Sequence, residues 1–156
     1  NVNTNHLHDV GKFMFAFSIF WTYLWFSQFM LIWYANLPEE VVYYQVRWEN
    51  FKILWISNLF INFLAPFLVL MSRDAKRQRQ ILVVAGVIIL CGHWLDVFLM
   101  VMPGTLGPHA GIGLIEIGTM LGFLGAFLFV TLSELAKSAL VPKNHPMLTE
   151  SLHHHI

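Results

Sequence analysis

The sequence predicts an all-α integral membrane protein, built as an antiparallel bundle of four transmembrane helices. Hydrophobic residues make up 57% of its 156 residues, charged residues make up only 12%, and the mean hydropathy is +0.62. These values lie far outside the usual range of soluble domains. Four long apolar segments are joined by short connections, which favour antiparallel neighbours. We therefore expect a single membrane domain over 1–156, with helices at about 11–36, 51–71, 81–102 and 110–140.

The first apolar segment follows Asp9, which we expect to cap the helix, and it ends before Pro38. At 1.5 Å per residue it spans roughly 39 Å, enough to cross the hydrocarbon core with some tilt. Residues 37–50 are too polar to cross. Because Tyr and Trp side chains favour the headgroup region, we expect this stretch to lie along the membrane interface.

The second segment carries two amides, Asn58 and Asn62, one helical turn apart and followed by Pro66. Proline has no N–H to donate, so the carbonyl of Asn62 loses its helical partner. A backbone carbonyl in the membrane needs another donor. We therefore predict a kink where the two amides lie.

The charges of the loops predict the orientation. The only basic cluster lies in 72–80, whereas 103–109 contains no Lys or Arg. Basic loops stay in the cytoplasm, so the first loop is expected inside and the second outside. Four crossings then put both termini, including the tail at 141–156, in the cytoplasm. The cluster consists of Arg73, Lys76, Arg77 and Arg79.

The fourth segment is rich in glycine, and Gly118 with Gly122 forms a GxxxG pattern. Small residues on one face let helix backbones approach closely. The ordinary interpretation is helix packing, either inside this bundle or against another subunit.

Ionisable side chains inside apolar segments are the unusual feature of the sequence. Each costs roughly 2.5 to 3.5 kcal/mol at the bilayer centre on insertion scales. Asp96 lies seven residues before Pro103, and Glu116 lies seven residues after His109. Counting inward therefore puts both carboxyls about 10 Å below the outer ends of their helices. Polar residues of all segments lie at a similar or slightly greater depth: Gln28, Asn58, Asn62 and His93.

The spacing of these residues groups them into pairs. His93 and Asp96 are three residues apart and share a helical face, as do Glu116 and Thr119. Two carboxyls facing one another across the hairpin at 103–108 would form a coupled pair that accepts and releases protons. The alternative is a buried network that only sets the helix register. We predict proton transfer by Asp96, Glu116 and His93, with polar support from Gln28, Asn58, Asn62 and Thr119.

Several other classes of function are excluded by the sequence. The formal net charge is zero, which gives no indication of nucleic-acid binding. A single cysteine, Cys91, rules out an iron–sulfur cluster held by this chain, and His93 lacks the second axial histidine that haem b needs. No metal, nucleotide or nucleophile motif is present. The chain begins at Asn1 without a readable signal peptide, which indicates a fragment or a processed chain.

Several short runs carry a resemblance to a known family. Residues 8–12 (HDVGK), 29–36 (FMLIWYAN) and 39–40 (EE) resemble the second half of NrfD-type, or polysulphide-reductase-type, membrane subunits. With 47–49 (RWE) and 93–96 (HWLD) added, the chain is more similar to the ActF-like subunits of bacterial alternative complex III. The resemblance covers nearly the whole chain, and it implies the C-terminal half of a longer subunit in the bacterial cytoplasmic membrane.

The resemblance implies partners as well as a fold. Alternative complex III is a quinol:electron-acceptor (cytochrome c) oxidoreductase of the respiratory chain, with an NrfD-like sibling subunit, multihaem cytochromes and an iron–sulfur subunit. Quinol or menaquinol, haems c and iron–sulfur clusters then belong to the partner subunits, and this chain binds no cofactor. The family's quinol site is associated with the preceding helical bundle, so no quinol ligand is carried over, although quinone stays a candidate partner beside the lipid bilayer.

The resemblance also narrows the proton path. Gln28 stands where the sibling subunit has a pattern resembling Tyr-x-x-Glu-Phe-Phe, and glutamine organises water but carries no proton. Proton translocation coupled to quinol oxidation would then fall on Asp96, Glu116 and His93. The alternative is a structural or assembly module of the same complex. An independent transporter or haem anchor fits less well, since the chain shows no inverted repeat.

Overall fold

The structure is a computed structural model that describes residues 3–139, 146–148 and 150. All of its regular elements in these residues are helical, and they follow one another as α1 (Thr4–Ala35), α2 (Pro38–Asn50), α3 (Lys52–Leu59), α4 (Ala65–Met71), α5 (Arg79–Leu106) and α6 (Leu114–Lys137). A π-helical turn, Phe60–Leu64, joins α3 to α4. Short 3-10 turns, Ala75–Arg77 and Gly107–His109, precede and follow α5.

Four of the helical stretches are long and apolar enough to cross a membrane: Thr4–Ala35, Lys52–Met71, Arg79–His109 and Leu114–Lys137. The prediction of an all-helical chain with four apolar spans is confirmed. The described residues form two compact units, and the single membrane domain stays a prediction. The larger unit comprises residues 3–110, and the smaller one comprises the described residues from 111 onward.

The larger unit packs three spans through two apolar clusters. Leu70, Leu82 and Ala85 are buried together, and Leu7 and Met14 pack against them. The start of α1, the end of α4 and the start of α5 therefore meet at one end. The stretch from α3 to α4 thus runs antiparallel to α1 and to α5. The second cluster joins the start of α3 to the end of α5 and consists of Phe51, Leu95, Phe98, Leu99 and Ala110.

The smaller unit contributes one long helix, α6. None of its residues is buried, and this includes both glycines of the GxxxG pattern, Gly118 and Gly122. The expected end of this helix at 140 is three residues too late, since α6 ends at Lys137. The predicted cytoplasmic tail, 141–156, lies outside the described residues except for 146–148 and 150.

The start of α1 differs from the prediction. Asp9 is not the N-cap, because the helix begins at Thr4. Asn3 caps it: its side chain accepts the Asn5 N–H at 2.6 Å, and the His6 ring accepts the Asn3 N–H at 3.2 Å. This reciprocal capping box satisfies donors that a helix start leaves free, so the helix extends beyond the apolar pattern.

The segment expected at the membrane interface forms a helix of its own, α2. It begins with Pro38 at the first position, where the missing N–H has no helical acceptor in any case. The carboxylates of Glu39 and Glu40 in its first turn interact favourably with the positive end of the helix dipole. With 13 residues it is too short to be a membrane span. The length of α2 is therefore consistent with the expectation that residues 37–50 do not cross the membrane.

The end of α5 also differs from the prediction. The helix was expected to stop at 102, but it continues through Pro103 to Leu106. Pro103 cannot donate to the carbonyl of Leu99, four residues earlier. Arg47 of α2 supplies the replacement donor, with its Nε 2.9 Å from the Leu99 oxygen and its Nη2 3.0 Å from the Met100 oxygen. A side chain from another helix therefore lets α5 pass through a proline.

The irregularity expected before Pro66 takes the form of the π-helical turn. The Ala65 N–H bonds to the carbonyl of Phe60, five residues earlier. Asn62 lies inside this turn and is only 1% exposed. Gly92 of α5 packs against it so closely that a Cβ at this position would lie 2.5 Å from Asn62 Oδ1. The turn and the glycine together bring the two spans into close contact.

Candidate functional site

Polar side chains of three spans converge on Asp96 in the larger unit. Trp21 of α1 donates its indole N–H to Asp96 Oδ2 at 3.0 Å. Asn58 of α3 donates its amide N–H to Asp96 Oδ1 at 2.8 Å. Each carboxyl oxygen therefore accepts a hydrogen bond from a neutral donor, and the side chain is fixed from two sides.

The two asparagines extend this network toward the π-helical turn. Asn62 Nδ2 donates to Asn58 Oδ1 at 2.7 Å and to the Asn58 carbonyl at 3.1 Å. Both side chains are 1% exposed. Asn62 Oδ1 receives no donor from the part of the chain that the structure describes. Buried networks of this kind hold one arrangement, because every broken bond leaves a polar group in a low-dielectric interior.

A cavity of about 210 Å³, which we call the polar cavity, opens beside Asp96. A water molecule takes about 30 Å³ in the liquid, so the space is large enough for several. Polar groups from α1, α2, α3 and α5 stand around it, and they can anchor such water. They are Gln28, Tyr43, Tyr44, Arg47, Asn58 and Asp96.

Arg47 is the buried cation of the polar cavity, with only 4% of its surface exposed. Besides its bonds to α5, its Nη1 donates to the Tyr43 carbonyl at 2.6 Å, and its guanidinium carbon lies 3.3 Å from the centre of the Tyr43 ring. Burial lowers the pKa of Arg47, and the phenols of Tyr43 and Tyr44 partly oppose that shift. Among the described residues, no carboxylate lies within 4 Å of it.

Tyr44 stands between the polar cavity and a second space. Burial raises the pKa of Tyr44 to about 12, so its phenol keeps its proton at physiological pH. The second space, about 520 Å³, is lined mainly by aromatic and aliphatic side chains, and we call it the aromatic groove. Tyr44 and Trp55 line both spaces. The groove's further apolar lining comes from Phe29, Ile32, Trp33, Val41 and Trp48.

His93 lies beside this site without a hydrogen bond to Asp96. Its side chain is exposed, and its ring centre is 6.5 Å from that of Trp21 in an edge-on arrangement. Trp21 thus contacts both predicted proton-transfer residues of α5, one through its ring and the other through its N–H. The shared helical face was predicted, but the contacts of the Trp21 indole with both side chains were not.

Glu116 and Thr119 lie in the smaller unit and make local hydrogen bonds. Glu116 Oε2 accepts the Gly113 N–H at 2.9 Å, and Thr119 Oγ1 donates to the Ile115 carbonyl at 2.7 Å. As a carboxylate in the first turn of α6, Glu116 also interacts favourably with the positive end of the helix dipole. The predicted pairing of Glu116 with Asp96 stays a prediction.

The structure adds residues that the sequence analysis missed, above all Trp21 and Arg47. The spacing of Trp21, Trp25 and Gln28 puts them on one face of α1, and this signal was readable. Arg47 carries no such signal by itself. The proline at 103 shows that a donor for the Leu99 carbonyl is required, but it does not show which side chain provides it.

The site can do two things chemically. Asp96 borders a space that holds water, so its carboxyl can exchange a proton with that water. Arg47 offers a desolvated cation to an acceptor-rich group. Comparison of the chain with models of known protein families and with curated proteins finds no match.

Proposed function

We propose that this chain is the C-terminal half of an ActF-like, NrfD-type membrane subunit that supplies proton-transfer groups to a quinol:cytochrome c oxidoreductase. Asp96 carries the proposal, because it is an ionisable side chain inside an apolar span that borders a cavity of about 210 Å³. Ionisable residues at such depth generally mark proton or ion pathways. A role in helix register alone requires partners for the carboxyl but no adjacent space for water.

The other predicted carriers have supporting places in the proposal. His93 stands at the edge of Trp21, and Glu116 belongs to α6, which we take as the fourth helix of an antiparallel bundle. Quinol or menaquinol, haems c and iron–sulfur clusters are assigned to partner subunits. The electrons would pass through those partners, while this chain handles protons only.

The orientation follows from the charges of the loops. We propose the bacterial cytoplasmic membrane, with 72–80 and both termini in the cytoplasm and 103–109 outside. The larger unit supports one part of this, the N-terminus and 72–80 on the same side, because the Lys76 Nζ lies 5.3 Å from the centre of the Phe15 ring in α1. The basic loop and the start of α1 are therefore at the same end.

Replacing Asp96 with asparagine in the assembled complex tests the proposal. Asparagine keeps the size of the side chain but cannot carry a proton, so we expect proton release coupled to quinol oxidation to fall roughly tenfold or more. Proton release per quinol is measured with a pH-sensitive dye in vesicles. Glu134→Gln is the matched control, because Glu134 is an exposed carboxylate paired with Lys137 at 2.8 Å. Unchanged coupling with both Asp96 and Glu116 neutralised would rule the proposal out.

The second candidate is a structural module of the same complex. The observation in its favour is that both oxygens of Asp96 already have donors, from Trp21 and Asn58. It predicts that Asp96→Asn weakens assembly and leaves coupling intact in whatever complex forms. Blue-native gels of the same variants separate the two candidates, because they measure assembly independently of proton release.

A further inference from the structure

The polar cavity and the aromatic groove adjoin and together have the form of a site for an amphiphile. Tyr44 and Trp55 line both spaces, so the polar cavity and the aromatic groove share one wall. The polar cavity, about 210 Å³, is smaller than the roughly 300 to 1,000 Å³ of pockets for drug-sized ligands. It therefore suits a headgroup, whereas the groove of about 520 Å³ suits an apolar chain.

The head must satisfy a buried cation. Three donors of Arg47 are used by the carbonyls of Leu99, Met100 and Tyr43. These three acceptors are neutral carbonyls, and within the described ranges no carboxylate lies within 4 Å of the guanidinium. Buried charges in proteins are generally paired. A guanidinium binds phosphate through several N–H groups at once, which makes phosphate the complementary group.

The headgroup of the ligand must also be compatible with the carboxylate of Asp96, which lines the same polar cavity. The two hydrogen-bond donors of Asp96, Trp21 and Asn58, are neutral and leave its charge uncompensated. The indoles of Trp21, Trp25 and Trp55 line the cavity as well, and aromatic faces attract ammonium groups. A purely anionic head would bring a second negative charge toward Asp96. Opposite charges in one small cavity therefore favour a zwitterion.

We propose that this site binds a phospholipid with a zwitterionic headgroup that carries a primary ammonium. Its phosphate lies on Arg47, its ammonium faces Asp96 and the indoles, and an acyl chain fills the groove beside Phe29, Trp33 and Trp48. The site includes α2, which the sequence places at the membrane interface, where headgroups are found. The proposal does not rest on the proposed function, since it needs Asp96 only as a carboxylate.

Native mass spectrometry of the full chain tests this proposal. The chain is purified in detergent micelles and exchanged into micelles that contain equal amounts of phosphatidylethanolamine and phosphatidylglycerol. We expect one retained phosphatidylethanolamine per chain, and about a tenfold lower retention in Arg47→Met. Lys52→Met is the matched control, because Lys52 is an exposed cation that lines neither space, its ammonium lying over the Trp48 ring. It should retain the lipid like the unaltered chain.

Two further variants leave Arg47 and its bonds to α5 in place. Asp96→Asn should lower the preference for phosphatidylethanolamine over phosphatidylglycerol about tenfold, since it removes the charge facing the ammonium. Val41→Trp should abolish retention of either lipid by filling the groove. Equal retention of the two lipids by the unaltered chain would overturn the proposal, as would retention that Val41→Trp leaves unchanged. Displacement of the lipid by an equimolar isoprenoid quinone would also overturn it.

Discussion

Gly92→Ala is expected to destabilise the larger unit by about 2 to 4 kcal/mol. The added methyl would lie 2.5 Å from Asn62 Oδ1 and 2.8 Å from Ile61 Cγ2, closer than atoms can approach. Overpacking of a tight interior costs about 1 to 3 kcal/mol, and displacing the buried Asn62 amide from Asn58 adds a lost hydrogen bond. Thermal unfolding in detergent, followed by circular dichroism, measures the difference.

Gly86→Ala is the matched control on the same helix. A methyl at this position meets Met14 at 3.7 Å, which is an ordinary contact, and alanine favours a helix over glycine. We expect its stability to equal or exceed that of the unaltered chain. Combining Gly92→Ala with Asn62→Ala should cost about 1 kcal/mol less than the sum of the single changes. If Gly92→Ala unfolds like Gly86→Ala, the close contact between α5 and the π-helical turn is wrong.

Arg47→Met is expected to cost about 3 kcal/mol, because methionine fills the space but donates no hydrogen bond. The carbonyl of Leu99 is then left without a donor, since Pro103 cannot provide one. Pro103→Ala restores an N–H at that position. In the Pro103→Ala background the cost of Arg47→Met should therefore fall by about 1 kcal/mol, because only the bonds to Met100 and Tyr43 are lost.

Unfolding of the four proteins of this double-mutant cycle, measured as above, gives the coupling between the two positions. Lys52→Met, which also replaces a cation with methionine at the start of α3, should change stability by less than about 1 kcal/mol. Arg47→Met is compared with it directly, since both changes remove one positive charge. An equal cost of Arg47→Met with and without Pro103 would show that the Leu99 carbonyl does not need the guanidinium.

Counting along the helices grouped polar residues by their depth, and the structure brings some of them together. A helix rises by a constant amount per residue, so equal distances from the outer loop indicate equal depth. Gln28, Asn58 and Asp96 do line one cavity, and Asn62 joins them through Asn58. Depth alone does not specify which side chains touch. A shared helical face was predicted for His93 and Asp96, and Trp21 of another helix contacts both side chains.

The sequence by itself determined the four apolar spans, the polar stretch that separates the first two, and an irregularity before Pro66. These features depend on local requirements. A span needs a long apolar segment whose backbone N–H and C=O groups pair within the segment, and a proline removes one N–H donor at any position. Only the tertiary structure decided how α5 passes Pro103 and what holds Asp96. The partners of these groups, Arg47 and Trp21, lie 52 and 75 residues away along the chain, and contacts at that separation depend on how the helices pack.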